Sequence, residues 1–147
     1  MTVRPFDFAK DANTIAKFYA QEWNIPQDKT IQNLKSTNVI FQLVILIDDQ
    51  IIATGGVHRK VGIHLKGDYS TKDPWLALMY VQPSHRRKGI GAQLLAEIEN
   101  YSIQIGFKKL CLFTKDQQGF YLHCKWRLDE KLTLRDQLIY LMHKSFN

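Results

Sequence analysis

Residues 80 to 92 read Tyr80-Val81-Gln82-Pro83-Ser84-His85-Arg86-Arg87-Lys88-Gly89-Ile90-Gly91-Ala92. An apolar, strand-like run here passes into a helix-like one through a basic loop that carries two glycines. Amides at the start of a helix have no partner and stand at the positive end of its dipole, so an anion placed there is held by groups the fold already supplies. Gly89 and Gly91 let the backbone come close or take a positive φ, and Arg86, Arg87 and Lys88 add fixed charge. The stretch reads as a pyrophosphate cradle.

Two better-known phosphate loops do not fit. A dinucleotide fingerprint would need a third glycine where Leu94 stands, and it would follow a first strand rather than lie mid-chain. A Walker loop would need the Gly-Lys-Ser/Thr order, which is missing. Cys111 and Cys124 are the only cysteines, and with five scattered histidines they form no zinc spacing, so no metal is expected. His123 and Cys124 could suggest a nucleophile pair. Neighbours on one helix diverge by about 100°, however, and both read as filler.

The elements that must position the loop can be read from periodicity. Val3, Arg4 and Pro5 suggest a short strand, and residues 11–23 carry Ile15, Phe18, Tyr19 and Trp23 at helical spacing, closed by Pro26. Residues 28–36 suggest a second helix with Ile31 and Leu34 inward. Two β-rich runs, 39–47 and 51–58, joined by Asp48-Asp49-Gln50, predict a hairpin. Residues 60–74 should be an exposed connection. Residues 75–81 are almost wholly apolar, as in a central strand covered on both faces. Ile90, Leu94, Leu95, Ile98, Tyr101 and Ile105 then trace one helix face that Gly106 closes. A strand over 110–114, a short helix over 117–124 and an antiparallel pair over 126–132 and 138–144 complete the order β-α-α-β-β-β-α-β-α-β-β. This predicts an α/β fold, a mixed and mostly antiparallel sheet with helices on both faces, in which the strand-helix-strand unit from residue 75 to 114 makes its two strands parallel neighbours.

The bulk numbers agree with that picture. The chain has 147 residues, 45% hydrophobic and 23% charged. That suits one domain, 1–147, of a cytoplasmic protein, with no secretory leader and no apolar run near the roughly 20 residues a membrane span needs. Its net charge of +6 favours an anionic partner. A nucleotide cofactor, a nucleic acid or an acidic protein would each satisfy that charge.

Arg86-Arg87-Lys88-Gly89-Ile90-Gly91 resembles the Arg/Gln-x-x-Gly-x-Gly/Ala signature of the GNAT family of N-acetyltransferases, with the expected strand before it and helix after it. Gly106-Phe107-Lys108-Lys109-Leu110, Leu112-Phe113-Thr114, Phe120-Tyr121 and Trp126 also resemble that family's second half. The resemblance implies transfer of an acetyl group from acetyl-coenzyme A (acetyl-CoA) to a primary amine of a small molecule or protein, directly, in a ternary complex. It further implies that the backbone of Met79, Tyr80 and Val81 pairs with the pantetheine and that residues Arg86, Arg87, Lys88, Gly89, Ile90, Gly91 and Ala92 bind the diphosphate.

Tyr121 falls where the family carries a tyrosine that protonates the leaving thiolate, which suits a phenol of ordinary pKa about 10. For the base the resemblance implies a glutamate on the fourth strand, but residues 75–81 contain no acid. Asp73, Glu22, His58, Tyr80 and a water chain all stay open. Lys125 occupies the place of the family's glycine in Tyr-x-x-x-Gly-aromatic, which puts a side chain in a left-handed turn or shifts the turn by one residue. The acceptor groove implied by the family would lie over residues 23–33 and 61–74. Trp23, Trp75 and Tyr69 are its aromatic candidates, with Trp23 and Trp75 also suited to the core. Alternatives are a non-catalytic coenzyme-A-binding or regulatory module of the same fold, and nucleic-acid binding by the His85 to Lys88 cluster. The partners implied are acetyl-CoA and an unassigned amine, with no nucleic acid and no membrane; a homodimer is left open.

Overall fold

A computed structural model describes residues 1–61 and 74–146. Its elements in chain order are β1 (Thr2–Pro5), α1 (Phe8–Trp23), α2 (Gln27–Lys35), β2 (Val39–Ile47), β3 (Gln50–His58), β4 (Trp75–Val81), α3 (Ile90–Gln104), β5 (Lys109–Thr114), α4 (Gln118–His123), β6 (Arg127–Leu134) and β7 (Gln137–Ser145). The strands form one sheet in the order β1-β2-β3-β4-β5-β7-β6, antiparallel throughout except where β4 meets β5. β4 is therefore the middle strand, as its double-sided apolarity requires.

Alternation along β2 shows how the two faces are shared. Leu43 and Ile45 join the cluster under α3, with Leu94, Leu95, Ile98, Leu110 and Trp126. Val44 and Leu46 join the opposite cluster under α1 and α2, with Ile15, Phe18, Tyr19 and Leu34. Helices thus cover both faces. The β2–β3 turn is made by Asp48 and Asp49 at φ 51 and 63, the pair of positive φ angles that a two-residue hairpin of this twist demands.

Three sequence expectations need correction. α1 begins at Phe8 rather than at residue 11, because Asp7 is the residue whose side chain accepts from the Lys10 amide; Asp11 lies buried inside the first turn, bound by Arg4 at 2.7 and 2.9 Å. Ile105 lies just beyond α3 and is exposed, so the apolar face stops at Tyr101. Trp23 is 42% exposed and leaves the core to Trp75, which is 3% exposed. In α2, Thr30 and Leu34 are buried while Ile31 is half-buried. Of the connection read over 60–74, Tyr69 and Asp73 lie outside the described residues.

Candidate active site

β4 and β5 are joined at one described register pair, Trp75↔Cys111, supported by the Cys111 amide donating to Pro74 O at 3.0 Å. Past that pair no further β4–β5 register pair occurs among the described residues, and we call this unpaired stretch between the two strands the opening. β4 is also irregular at this level. Thr54 pairs with Tyr80 and Gly56 with Ala77, so Leu78 and Met79 together oppose Gly55, and Leu78 sits at φ 55. This is a bulge, which re-aims main-chain groups. It is held from α1, where the Tyr19 hydroxyl donates to Leu78 O at 2.7 Å. Tyr19 in turn accepts from Gln42 Nε2 at 3.1 Å, and that amide also donates to Thr54 Oγ1 at 2.8 Å. Gly56 makes room for this network, since a Cβ there would lie 2.1 Å from Gln42 Oε1. On the far side of the bulge, a Cβ on Gly55 would lie 2.9 Å from Met79 Cγ.

At the end of β4 the Gln82 amide donates to Ile52 O at 2.8 Å. Alternation therefore turns the main-chain groups of Val81 away from β3. A single turn over Pro83–His85 leads to Arg86, Arg87 at φ 64, Lys88 and Gly89 at φ 80, and then to α3. Among the described residues no side chain caps α3. The amides of Ile90, Gly91 and Ala92 precede its first intrahelical bond, Gln93 N–H to Gly89 O at 3.1 Å. Nothing stands within 4 Å of where a Cβ on Gly89 would be, and Arg87, Lys88 and Gly89 are exposed. Gly91 is helical, and a Cβ on it would meet Phe120 at an ordinary 3.7 Å. The arrangement suits an anion bound mainly by backbone.

Arg86 behaves differently from its neighbours. Its Nε donates to Val81 O at 2.7 Å, its Nη2 pairs with Glu22 Oε2 at 2.6 Å, and its guanidinium lies 5.6 Å from the Tyr80 ring centre. The side chain is thus tied to the last turn of α1, and among the described residues the loop cations without an ion pair are Arg87 and Lys88. Tyr80 itself is buried and stacks on Phe18 at 4.8 Å. Trp23 packs against Tyr19 at 5.3 Å and Tyr80 at 6.2 Å while exposing an edge beside Glu22.

From the other strand, α4 brings in Tyr121. Its hydroxyl reaches Met79 Sδ at 3.8 Å, a weak acceptor, and its ring packs against Phe120 at 5.1 Å and Trp126 at 5.8 Å. Burial, with a smaller contribution from the neighbouring Cys124, pushes the phenol well above its ordinary value, so it stays protonated at neutral pH. Lys125 takes φ 74, in register with the glycine position four residues after Tyr121.

The other sequence candidates are dispersed. Glu22 is engaged by Arg86. His58 is 4% exposed at the far end of β3, and burial lowers it to about 4, so it is neutral at pH 7. Its Nε2 has no hydrogen-bond partner among the described residues. Asp73 lies outside those residues. His123 is exposed and Cys124 half-buried on α4. Among the described residues there is no cluster of three or more metal-ligating side chains, and no helix is long and apolar enough to cross a membrane. The bulge at Leu78 and its tether Tyr19 were missed from sequence, whereas the sequence reading gives Trp23 both to the groove wall and to the core. A helical stripe of aromatics gives no hint that one of them bonds a distant carbonyl.

The sequence model of the family described as "Acetyltransferase (GNAT) family" matches residues 8–126. No curated protein matches the chain. Among solved structures, an aminoglycoside 6'-N-acetyltransferase complexed with coenzyme A is 14% identical with a TM-score of 0.82, covering 99% of this chain and 97% of that one. A ribosomal-protein-alanine N-acetyltransferase from Brucella melitensis is 18% identical with a TM-score of 0.78, covering 99% and 100%. The protein smu.2055 from Streptococcus mutans UA159 is 19% identical with a TM-score of 0.76, covering 99% of each chain. At such identities the likeness is one of fold.

Proposed function

The chain belongs to the GNAT acetyltransferase family and is an acetyl-CoA-dependent N-acetyltransferase; from that premise we propose how its own residues carry out the transfer. The amides of Ile90, Gly91 and Ala92, with the flexible Gly89 and the cations of Arg87 and Lys88, hold the diphosphate. Arg86 contributes its main chain, its guanidinium being committed to Glu22. The edge formed by Met79, Tyr80 and Val81 lies along the opening between β4 and β5 and receives the pantetheine; the outward amide of Val81 makes it the principal contact, its carbonyl already accepting from Arg86 Nε. The bound coenzyme supplies the activated acyl group.

Holding donor and amine in one opening supplies up to about 7–11 kcal/mol of the barrier, the largest contribution available to a site of this kind. Tyr121 supplies the proton. A phenol is neutral at pH 7 even without burial; it gives its proton to the departing sulfur only as that sulfur gains negative charge, and the phenolate then regains a proton from water. In the opening its present partner is the Met79 thioether, itself a sulfur and a poor acceptor that competes weakly. The amine must arrive neutral. Glu22 is held by Arg86 and His58 is enclosed in the sheet, while Asp73 lies outside the described residues; we assign the departing proton to water. Transfer is then direct, in a ternary complex, with Trp23 and Glu22 on the acceptor side of the opening.

The observation that carries this reading is the pairing of an uncapped helix start with a half-buried phenol at one strand opening. It is tested by following thiol release from acetyl-CoA with an amine panel, namely a peptide N-terminus, a lysine side chain, a polyamine and an aminoglycoside. Tyr121→Phe should lower kcat by about 100-fold or more while leaving coenzyme affinity within about twofold. Unchanged turnover would remove Tyr121 from the mechanism. Tight coenzyme binding with silence toward every amine would favour a non-catalytic module.

A further inference from the structure

α4 ends in a complete Schellman turn. The Lys125 amide donates to Leu122 O at 3.1 Å and the Trp126 amide to Tyr121 O at 3.0 Å. The Tyr121 and Trp126 rings meet across the turn at 5.8 Å, the apolar contact that commonly accompanies this motif. The motif calls for glycine at the left-handed position, and Lys125 stands there at φ 74. A Cβ in that conformation crowds its own backbone, so the turn needs support from outside itself.

A polar cluster flanks Lys125 on both sides. Lys144 of β7 donates from Nζ to Cys124 O at 3.0 Å, and Cys124 immediately precedes Lys125. The same ammonium pairs with Glu99 Oε1 of α3 at 2.6 Å, both side chains being mostly buried. The other Glu99 oxygen accepts the indole N–H of Trp126, the residue after Lys125, at 3.1 Å. The ammonium thus satisfies a carbonyl at the negative end of α4, and the carboxylate both neutralises that ammonium and anchors the following ring.

We propose that Glu99 and Lys144 are positioning residues for proton donation: their ion pair clamps the turn at Lys125 in place of the glycine and so fixes the Tyr121 hydroxyl at the opening. This rests on the reading of Tyr121 as proton donor. The clamp also joins the helix that begins at the anion cradle to the helix that carries the phenol, through one carboxylate on α3.

The test uses Lys144→Met and Glu99→Gln, each alone and combined with Lys125→Gly. Turnover is followed by thiol release from acetyl-CoA with the best acceptor of the amine panel. The Tyr121 ring is followed by NMR of protein carrying 13C-labelled tyrosine, with its resonance identified in Tyr121→Phe. Lys144→Met should lower kcat about tenfold with KM for acetyl-CoA unchanged and should shift or split the Tyr121 resonance. Lys125→Gly alone should leave kcat as it is, and in Lys125→Gly/Lys144→Met both readouts should return to within about threefold of the parent, since the glycine then holds the turn unaided. Glu99→Gln keeps an acceptor for the indole but not the charge, and should act in the same direction more weakly. It carries the test, with Lys144→Arg as the charge-preserving control, if Lys144→Met does not fold.

Normal kcat and an unmoved Tyr121 resonance in both single variants would overturn the proposal. So would a loss that Lys125→Gly fails to restore. If Tyr121→Phe itself keeps full turnover while the resonance still moves and is rescued, the proton-donor reading fails and the catalytic role falls with it, leaving a clamp that is structural only.

Discussion

Two helix starts in this molecule meet the same physical problem in opposite ways. Every helix begins with amides that its own ladder cannot use. At α1 they are closed from within: Asp7 Oδ1 accepts from the Lys10 amide at 3.1 Å, Asp11 Oδ2 accepts from the Asp7 amide at 2.8 Å, and Arg4 binds both Asp11 oxygens. Desolvation pushes the Asp11 carboxyl upward, but the bonds from Arg4 and the Asp7 amide outweigh it and hold the group below its ordinary range. At α3 the cap is Gly89, with no side-chain bond and no acid in the first turn. One end puts its carboxylates into stability; the other keeps its amides without a side-chain cap beside Arg87 and Lys88, where we propose that the diphosphate binds. Charge sign near a helix start therefore separates structure from function more sharply in this chain than net charge does.

Breaking the contrast at α3 should give the largest effect. Gly89→Asp places an acid at the cap and a side chain at φ 80, and it should weaken coenzyme A binding by at least about 100-fold, or roughly 2.7 kcal/mol, by calorimetry. Unchanged affinity would mean that the open amides do not hold the ligand. Breaking it at α1 should act on stability alone. Arg4→Met leaves a buried carboxylate without its cation and should cost about 2 kcal/mol in urea unfolding, with coenzyme affinity retained.

The acid limb of the stability profile sharpens the same point. Asp11 is depressed in the folded state, so its contribution is present above the ordinary carboxylate pKa and is lost as pH falls through its folded value. Arg4→Met should flatten that limb, and a limb as steep as the parent's would show that Asp11 is not the group responsible. Lys125→Gly relieves a left-handed side chain at the other end of a helix and should add about 1 kcal/mol in the same assay; a loss of stability would show that the lysine is not strained there. Gly91→Ala should change affinity and stability by no more than about 0.5 kcal/mol, because the added methyl meets Phe120 at 3.7 Å. A large effect would reveal a closer approach at Gly91 than the helix geometry requires.

Much of this was legible from residue types. The Asp48-Asp49 turn, the central place of β4, the parallel step to β5 and the positive φ of Gly89 all follow from local rules with few competing solutions. The spacing from Tyr121 to Lys125 and Trp126 likewise located a turn that the structure keeps in register. What escaped was set by partners rather than by pattern. The helix read from residue 11 begins three residues earlier because Asp7 caps it, and pairing with Arg4 makes Asp11 a buried ion-pair member. Tyr19 and Trp23 share one helical stripe, yet one anchors the Leu78 bulge and the other is half open to solvent. Arg86 belongs to the basic run by composition, but Glu22, more than sixty positions earlier, claims its side chain. Leu78 lies in a uniformly apolar strand, where no change of residue type marks a bulge.

The central claim is that the amides at the start of α3 hold the coenzyme's diphosphate, and a coenzyme A titration followed by 1H–15N NMR tests it most directly. The amide resonances of Gly89, Ile90, Gly91 and Ala92 should move further than those at the start of α1, and they should saturate together with the calorimetric isotherm. Saturation of binding with these four amides unmoved would contradict the account.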